Sequence, residues 1–179
     1  AGASTFNPSL AAGLDRRQAV LSTGSLPSGL RLGHMSAAGS AKKWHWAVGV
    51  DYLNSGRMTE TNELGGIVGE FRFQESRPRA TVARALELKG GRQILVGATA
   101  RWTLQTASNF VAQALSTDLG ATYVGDSGRF HAALVLQHAG LSLDPLGSTP
   151  EALPTAVHAA ISRQFRYAPF RITPRPARS

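Results

Sequence analysis

Few side chains in this sequence stand where catalysis would need them. The string Gly125-Asp126-Ser127-Gly128 alone has the composition of a nucleophile turn, in which a histidine activates a serine hydroxyl and a carboxylate orients the histidine. The rest of that machinery is missing. Arg129-Phe130 opens a new strand-like alternation at once, and no histidine stands upstream in an Ala-Ala-His-Cys context. Asp-Ser-Gly between two alternating runs is hairpin-turn chemistry instead. The five histidines, His34, His45, His131, His138 and His158, show neither HxxxH nor HExxH spacing. Strand parity sends His131 and His138 to opposite faces, and each histidine reads as a polar residue on a wet strand face. Gly65-Gly66 and Gly90-Gly91 mark turns, without the GxGxxG or GxxxxGK spacing that cradles phosphate before a helix. Asp118 and Glu87 are carboxylates inside strands, where Arg101 or a neighbouring arginine would cross-link them rather than use them catalytically. No catalytic residue, cofactor or metal is expected, and the chain reads as non-enzymatic.

The elements that carry these residues are strands. From Gln93 to Leu104 every even position is apolar: Ile94, Val96, Ala98, Ala100, Trp102 and Leu104 share one face. Gln93, Gly97, Thr99, Arg101 and Thr103 share the other with Leu95. The run exceeds the five or six residues of an average soluble strand and matches the nine to eleven that a hydrocarbon core demands of a tilted strand, about 30 Å thick. The pattern recurs over Gln18–Ser25, Gly29–Ala38, Lys43–Asn54, Phe71–Leu88 with an interruption, Val111–Val124, Arg129–Gly140, Thr155–Gln164 and Phe170–Thr173. Trp44, Trp46, Val48, Val50 and Tyr52 oppose His45, Gly49 and Asp51. Short turns at Gly39–Lys42, Lys89–Arg92, Gly125–Gly128 and near Arg166–Ala168 alternate with longer connections at Ser55–Glu70, Thr106–Phe110 and Leu141–Pro154. An up-and-down outer-membrane barrel shows this alternation, and it places tryptophan and tyrosine near strand ends, as at Trp44, Trp46, Tyr52, Trp102 and Tyr123. The expected fold class is all-β: an antiparallel up-and-down outer-membrane β-barrel, present as a partial barrel of about nine strands. A half-buried soluble sheet shows the same alternation, so a soluble β-sheet module that binds protein or glycan stays open at this point.

Composition narrows the rest. The 179 residues suffice for one domain or part of a larger one. No run of about eighteen apolar residues exists, which excludes transmembrane helices and leaves a barrel open. The absence of cysteine excludes disulfide scaffolds, thiolate metal sites and cysteine catalysis. The net charge of +8 raises nucleic-acid binding, but the cations are scattered singly and form no basic helix, so no nucleic acid is expected. Residues 1–17 read as a lead-in and 173–179 as an irregular tail, in which Pro174 and Pro176 deny ladder hydrogen bonds. A partial chain is the expectation.

Taken in order, the motifs resemble the PorQ family of the type IX secretion system, with PorV as the wider relative. The likeness begins at Asn7-Pro8-Ser9-Leu10 and continues through Ala47–Gly56 and Gly69-Glu70-Phe71. It is sharpest where Ala114–Tyr123 is similar to a strand of the form hydrophobic-Asp-Leu-Gly-Ala-Thr-Tyr. Phe130–Gly140 stands where relatives end a strand in Asn-Leu/Ile-Gly, and here His138-Ala139 replace Asn-Leu/Ile. Leu153-Pro154 and Ile161–Arg171 resemble the family's Leu-Pro and "His-Ala-Pro-Phe-Arg" segments. The likeness covers nearly all of this chain and about half of a complete member, itself a FadL-like barrel.

The resemblance implies a non-enzymatic outer-membrane component of the attachment complex in a Gram-negative bacterium. Its partners would be outer-membrane lipid and the PorZ-like, PorU-like and PorV-like proteins, with the PorZ-like protein held at the surface. Holding would use the outer loops, with Asn62, Glu63, Asp144, Pro145, Leu146, Thr149 and Glu151 as candidate partner-facing residues. A FadL-like transporter of hydrophobic solutes is the alternative. A continuous apolar pocket leading from the loops to the wall, or an N-terminal hatch in the lumen, would favour transport, and a sealed, polar, charge-paired lumen would favour anchoring.

Overall fold

The computed structural model describes residues 5–27, 29–108, 110–125, 128–144 and 153–164, and the backbone of 171–172. The alternation read over Gln93–Leu104 becomes β7, Arg92–Ala107, one of eleven strands among the described residues. The others are β1 Gln18–Ser25, β2 Arg31–Ala41, β3 Trp44–Asn54, β4 Met58–Thr61, β5 Ile67–Phe71, β6 Phe73–Leu88, β8 Phe110–Val124, β9 Phe130–Asp144, β10 Ala156–Gln164 and β11 Arg171–Ile172. The fold is all-β. Nine strands form one antiparallel sheet in the order β1-β2-β3-β6-β7-β8-β9-β10-β11, and β4 and β5 pair separately as a hairpin between β3 and β6. Neighbours in sequence are neighbours in the main sheet, apart from that insertion. Among the described residues β1 and β11 do not pair with each other, so the sheet has two edges.

The nine expected strands are present, with three local differences. The span Ser55–Glu70 is not simple loop but contains β4 and most of β5. The connection expected over Thr106–Phe110 is a tight turn, because β7 runs on to Ala107 and β8 starts at Phe110; Ser108 takes a positive φ of 54° there. The interruption expected within Phe71–Leu88 shrinks to Arg72 and to a gap at Arg77 and Pro78. The β6–β7 register passes from Ser76↔Leu104 to Arg79↔Arg101, while β3 still pairs through Val50↔Pro78. Proline lacks the N–H that a ladder on both sides would use, so the break is confined to one side.

The faces are divided as the alternation requires, and the division is inverted relative to a soluble core. Along β8, Ala112, Ser116, Asp118, Gly120 and Thr122 are buried, while Leu115, Thr117, Leu119 and Ala121 between them are exposed. On β7 the buried residues are Leu95, Thr99 and Arg101, whereas Trp102 is 44% exposed; on β9 Leu134 is 57% exposed. Of the eight buried apolar residues among those described six are alanine, and the other two are Leu95 and Val135. The large apolar side chains therefore line the outside of this sheet.

Residues 7–14 cover part of the polar face. Asn7 caps a short 3-10 helix, Pro8–Gly13, its side chain accepting a hydrogen bond from the Ser9 N–H at 3.0 Å. Proline opens this helix without cost because its first turn has no partner for an N–H. Ala11 and Ala12 pack with Ala83 and Leu95 in a small apolar cluster, flanked by Leu14, Ala85 and Val124.

Candidate functional site

A band of charged and polar side chains crosses the middle of the polar face from β2 to β9. His34 in β2 lies opposite Asp51 in β3, and its Nδ1 donates to Asp51 Oδ1 at 2.7 Å. The other oxygen of Asp51 accepts from Arg79 in β6, and His34 Nε2 meets Ser36 Oγ at 3.0 Å. On the other side of the β6–β7 ladder the same residue types recur in reverse. Arg101 in β7 donates from Nη2 to Asp118 Oδ2 in β8 at 2.7 Å, and from Nη1 to His138 Nδ1 in β9 at 2.9 Å. Guanidinium nitrogens only donate, so His138 Nδ1 accepts and this imidazole is neutral with its proton on Nε2. Arg79 and Arg101 face each other directly across the ladder, a placement that repels unless each is neutralised. Each turns aside to its own aspartate. The Arg101–Asp118 pair is the cross-link expected from sequence; His34, Asp51 and Arg79 complete a second one.

His138 belongs to this band because of a β-bulge. The β8–β9 register passes from Leu119↔Leu136 to Thr117↔Ala139, so Gln137 and His138 together oppose Asp118. His138 adopts a positive φ of 57°, and its N–H donates to Asp118 Oδ1 at 2.8 Å. One extra residue reverses the parity beyond it. This overturns the expectation that His131 and His138 face opposite ways: His131, opposite Val124, shares the polar face with the ring of His138. An Asn or His at the bulge tolerates the left-handed backbone better than a β-branched residue would.

The N-terminal segment sits directly on two glycines of this face. A Cβ on Gly97 would lie 2.5 Å from the carbonyl of Pro8, and one on Gly120 would lie 2.3 Å from Asn7 Oδ1. Only glycine lets the backbone come so close. Asn7 Nδ2 donates to Thr122 Oγ1 at 3.0 Å, Ser9 Oγ lies 2.7 Å from the same hydroxyl, and Arg79 Nη2 donates to Thr5 Oγ1 at 3.0 Å. The residues expected to be a lead-in are thus joined to β8 by buried hydrogen bonds and to β6 by a half-buried one. Beside them, Asn7, Thr122, His131, Val135 and His158 line a cavity of about 450 Å³.

The two rims of the sheet differ in both shape and charge. The connections at 42–43, 89–91 and 125–129 are short; the rim at 26–30, 55–72, 108–109 and 144–155 has one equally short connection, 108–109, and carries the β4–β5 hairpin. At the short-turn rim the described residues include nine cations, Arg16, Arg17, Lys42, Lys43, Arg84, Lys89, Arg92, Arg129 and Arg163, against Asp15 and Glu87. On the loop side Arg31, Arg57, Arg72 and Arg77 are outnumbered by Glu60, Glu63, Glu70, Glu75 and Asp144.

The β4–β5 hairpin brings Asn62 and Glu63 to its tip. The Asn62 carboxamide oxygen accepts from the N–H groups of Leu64 at 3.1 Å and Gly66 at 2.7 Å, so this side chain stiffens the turn. Glu63 is exposed, and next to it Leu64 is 95% exposed, followed by exposed Ile67 and Val68. These apolar tip residues escaped the sequence reading, although Met58-Thr-Glu-Thr and Ile-Val-Gly-Glu-Phe around an Asn-to-Gly turn spell a hairpin. Asp144 ends β9 and is exposed, far along the chain from the hairpin. Pro145, Leu146, Thr149 and Glu151 lie outside the described residues.

Comparison of the chain with protein-family models, curated proteins and solved structures finds no match. The site therefore rests on its own geometry.

Proposed function

We propose that this chain forms part of an outer-membrane β-barrel that acts, without catalysis, as the membrane anchor of a secretion assembly at the surface of a Gram-negative cell. The observation that carries the membrane reading is the inverted sheet: Trp102, Leu115, Leu119, Leu134 and Val157 are exposed while Thr99, Arg101, Asp118 and Thr122 are buried. A water-facing sheet of this kind would expose far more contiguous apolar surface than soluble monomers carry. In lipid it is the favourable arrangement. Ile94 to Leu104 covers about 25 Å of depth at a strand tilt near 40°, the height of an outer-membrane apolar band.

The secretion role is carried by the resemblance of Asn7–Leu10, Ala114–Tyr123 and Ile161–Arg171 to the PorQ family, and the PorZ-like protein is the partner proposed. The β4–β5 hairpin, with Glu63 and Leu64 at its tip, suits the holding role. Transport of a hydrophobic solute, as in FadL-like barrels, is the second reading, and the N-terminal segment on the polar face favours it. The charge band weighs against it, since an apolar solute would have to pass two ion pairs and two imidazoles.

Full-length protein extracted from outer-membrane fractions should migrate faster on a gel unboiled than boiled, and should bring the PorZ-like partner with it on affinity capture. A protein recovered in the soluble fraction with no heat-dependent migration would sink the membrane reading. Heat-modifiable migration with the partner still attached to cells lacking this protein would sink the anchor role alone.

A further inference from the structure

We propose that the short-turn rim holds a binding site for the phosphate of an anionic phospholipid headgroup, centred on Arg84 and Trp44. The inference rests on the membrane reading above. In outer-membrane barrels the short turns face the periplasm, so this rim meets the phospholipid leaflet. Its cations exceed its carboxylates by a wide margin, whereas the loop side is close to neutral.

Arg84 is the cation whose placement demands a ligand. It stands on the apolar face of β6, opposite Trp44 in the register, with its guanidinium 5.5 Å from the centre of the Trp44 ring. Ring contact satisfies the face of the guanidinium but not its N–H groups. Arg84 Nε is buried without a hydrogen-bond partner, and among the described residues no carboxylate lies within ion-pair distance of it. An unpaired guanidinium on a lipid-facing wall is costly. A phosphate diester accepts from its two terminal nitrogens, since Nε is shut off from the surface, and neutralises its charge. The level is right for a headgroup: Trp46 flanks Trp44 on the same face, and Tyr123 and Phe130 stack edge to face at 6.1 Å near the ends of β8 and β9. Lys42 and Lys43 lie in the adjoining turn and add attraction for the same leaflet.

The test uses full-length protein reconstituted into vesicles of phosphatidylcholine alone or mixed with phosphatidylglycerol, with native mass spectrometry of the lipids retained on extraction. Phosphatidylglycerol should be enriched among them, Arg84→Gln should cut the enrichment about fivefold, and Trp44→Leu about threefold. Arg84→Lys, which keeps the charge, should hold most of it, guarding against a folding defect in the glutamine variant. Insertion into both vesicles with no enrichment, or enrichment indifferent to Arg84→Gln, overturns the site and leaves the membrane reading standing. Displacement of the bound lipid by inorganic phosphate overturns it in favour of a free-anion site. Failure to insert into either vesicle overturns both.

Discussion

The triads His34–Asp51–Arg79 and His138–Asp118–Arg101 use the same residues in mirror order about the β6–β7 ladder, yet they are built differently. Asp118 has 2% of its side chain exposed and spends both oxygens inside the sheet, one on Arg101 and one on the bulged N–H of His138. Asp51 keeps 25% of its side chain exposed, and its partners are side chains alone. The imidazoles take opposite roles: His34 donates to its carboxylate, and His138 accepts from its arginine. Arg79 reaches beyond its triad to Thr5. A buried ion pair stabilises only when further hydrogen bonds satisfy its spare lone pairs and protons. The bulge supplies these on the β8–β9 side, so that triad is part of the sheet itself. The β2–β3 triad, wetter and shared with Thr5, is a joint between the sheet and the N-terminal segment.

The difference can be broken at several points, each read by urea unfolding of full-length protein in lipid vesicles. Asp118→Ala should cost the most, about 3–5 kcal/mol, because it strands Arg101 as a buried charge. A loss below 1 kcal/mol would mean that the burial is incomplete. Ala98→Arg probes the opposite face at mid-depth and should cost about 2–4 kcal/mol; an unaffected protein would mean that this face does not meet lipid. Asp51→Ala should cost less than Asp118→Ala, about 1–2 kcal/mol, since the position of the partly exposed carboxylate admits water and Arg79, itself as buried as Arg101, keeps its hydrogen bond to Thr5. Equal losses at the two aspartates would erase the distinction drawn here. Thr5→Val should have the smallest effect, about 0.5–1.5 kcal/mol, and should raise hydrogen exchange of the N-terminal amides while leaving the strand amides protected. Uniform loosening of sheet and segment would show that the joint is not local.

Much of this was legible as period-two alternation. The strands, their turns, the polar and apolar faces and the Arg101–Asp118 cross-link all follow from it, because parity along an unbroken strand is a local property. The reading failed where one residue upset that parity or where contact was long-range. The interruption expected within Phe71–Leu88 hid Arg79 from Asp51, although at Pro78 only the β6–β7 side of the ladder yields. The bulge at Gln137-His138 carried no signal distinct from ordinary strand, so His138 was sent to the wrong face. Gly97 and Gly120 read as neutral strand glycines, and nothing near them in the chain announces Asn7 and Pro8.

What the residues dictate locally is an all-β chain with one polar and one apolar face, and turns marked by glycine. Which face is covered could not follow from alternation, since the same pattern serves a soluble sheet and a barrel stave. The tertiary structure decided that by laying residues 7–14 over the polar side and leaving the large apolar side chains uncovered. It also joined six strands through one band of charge, which depends on the register of five successive ladders between His34 and His138. Register is set by pairing, and pairing is known only once the sheet has formed.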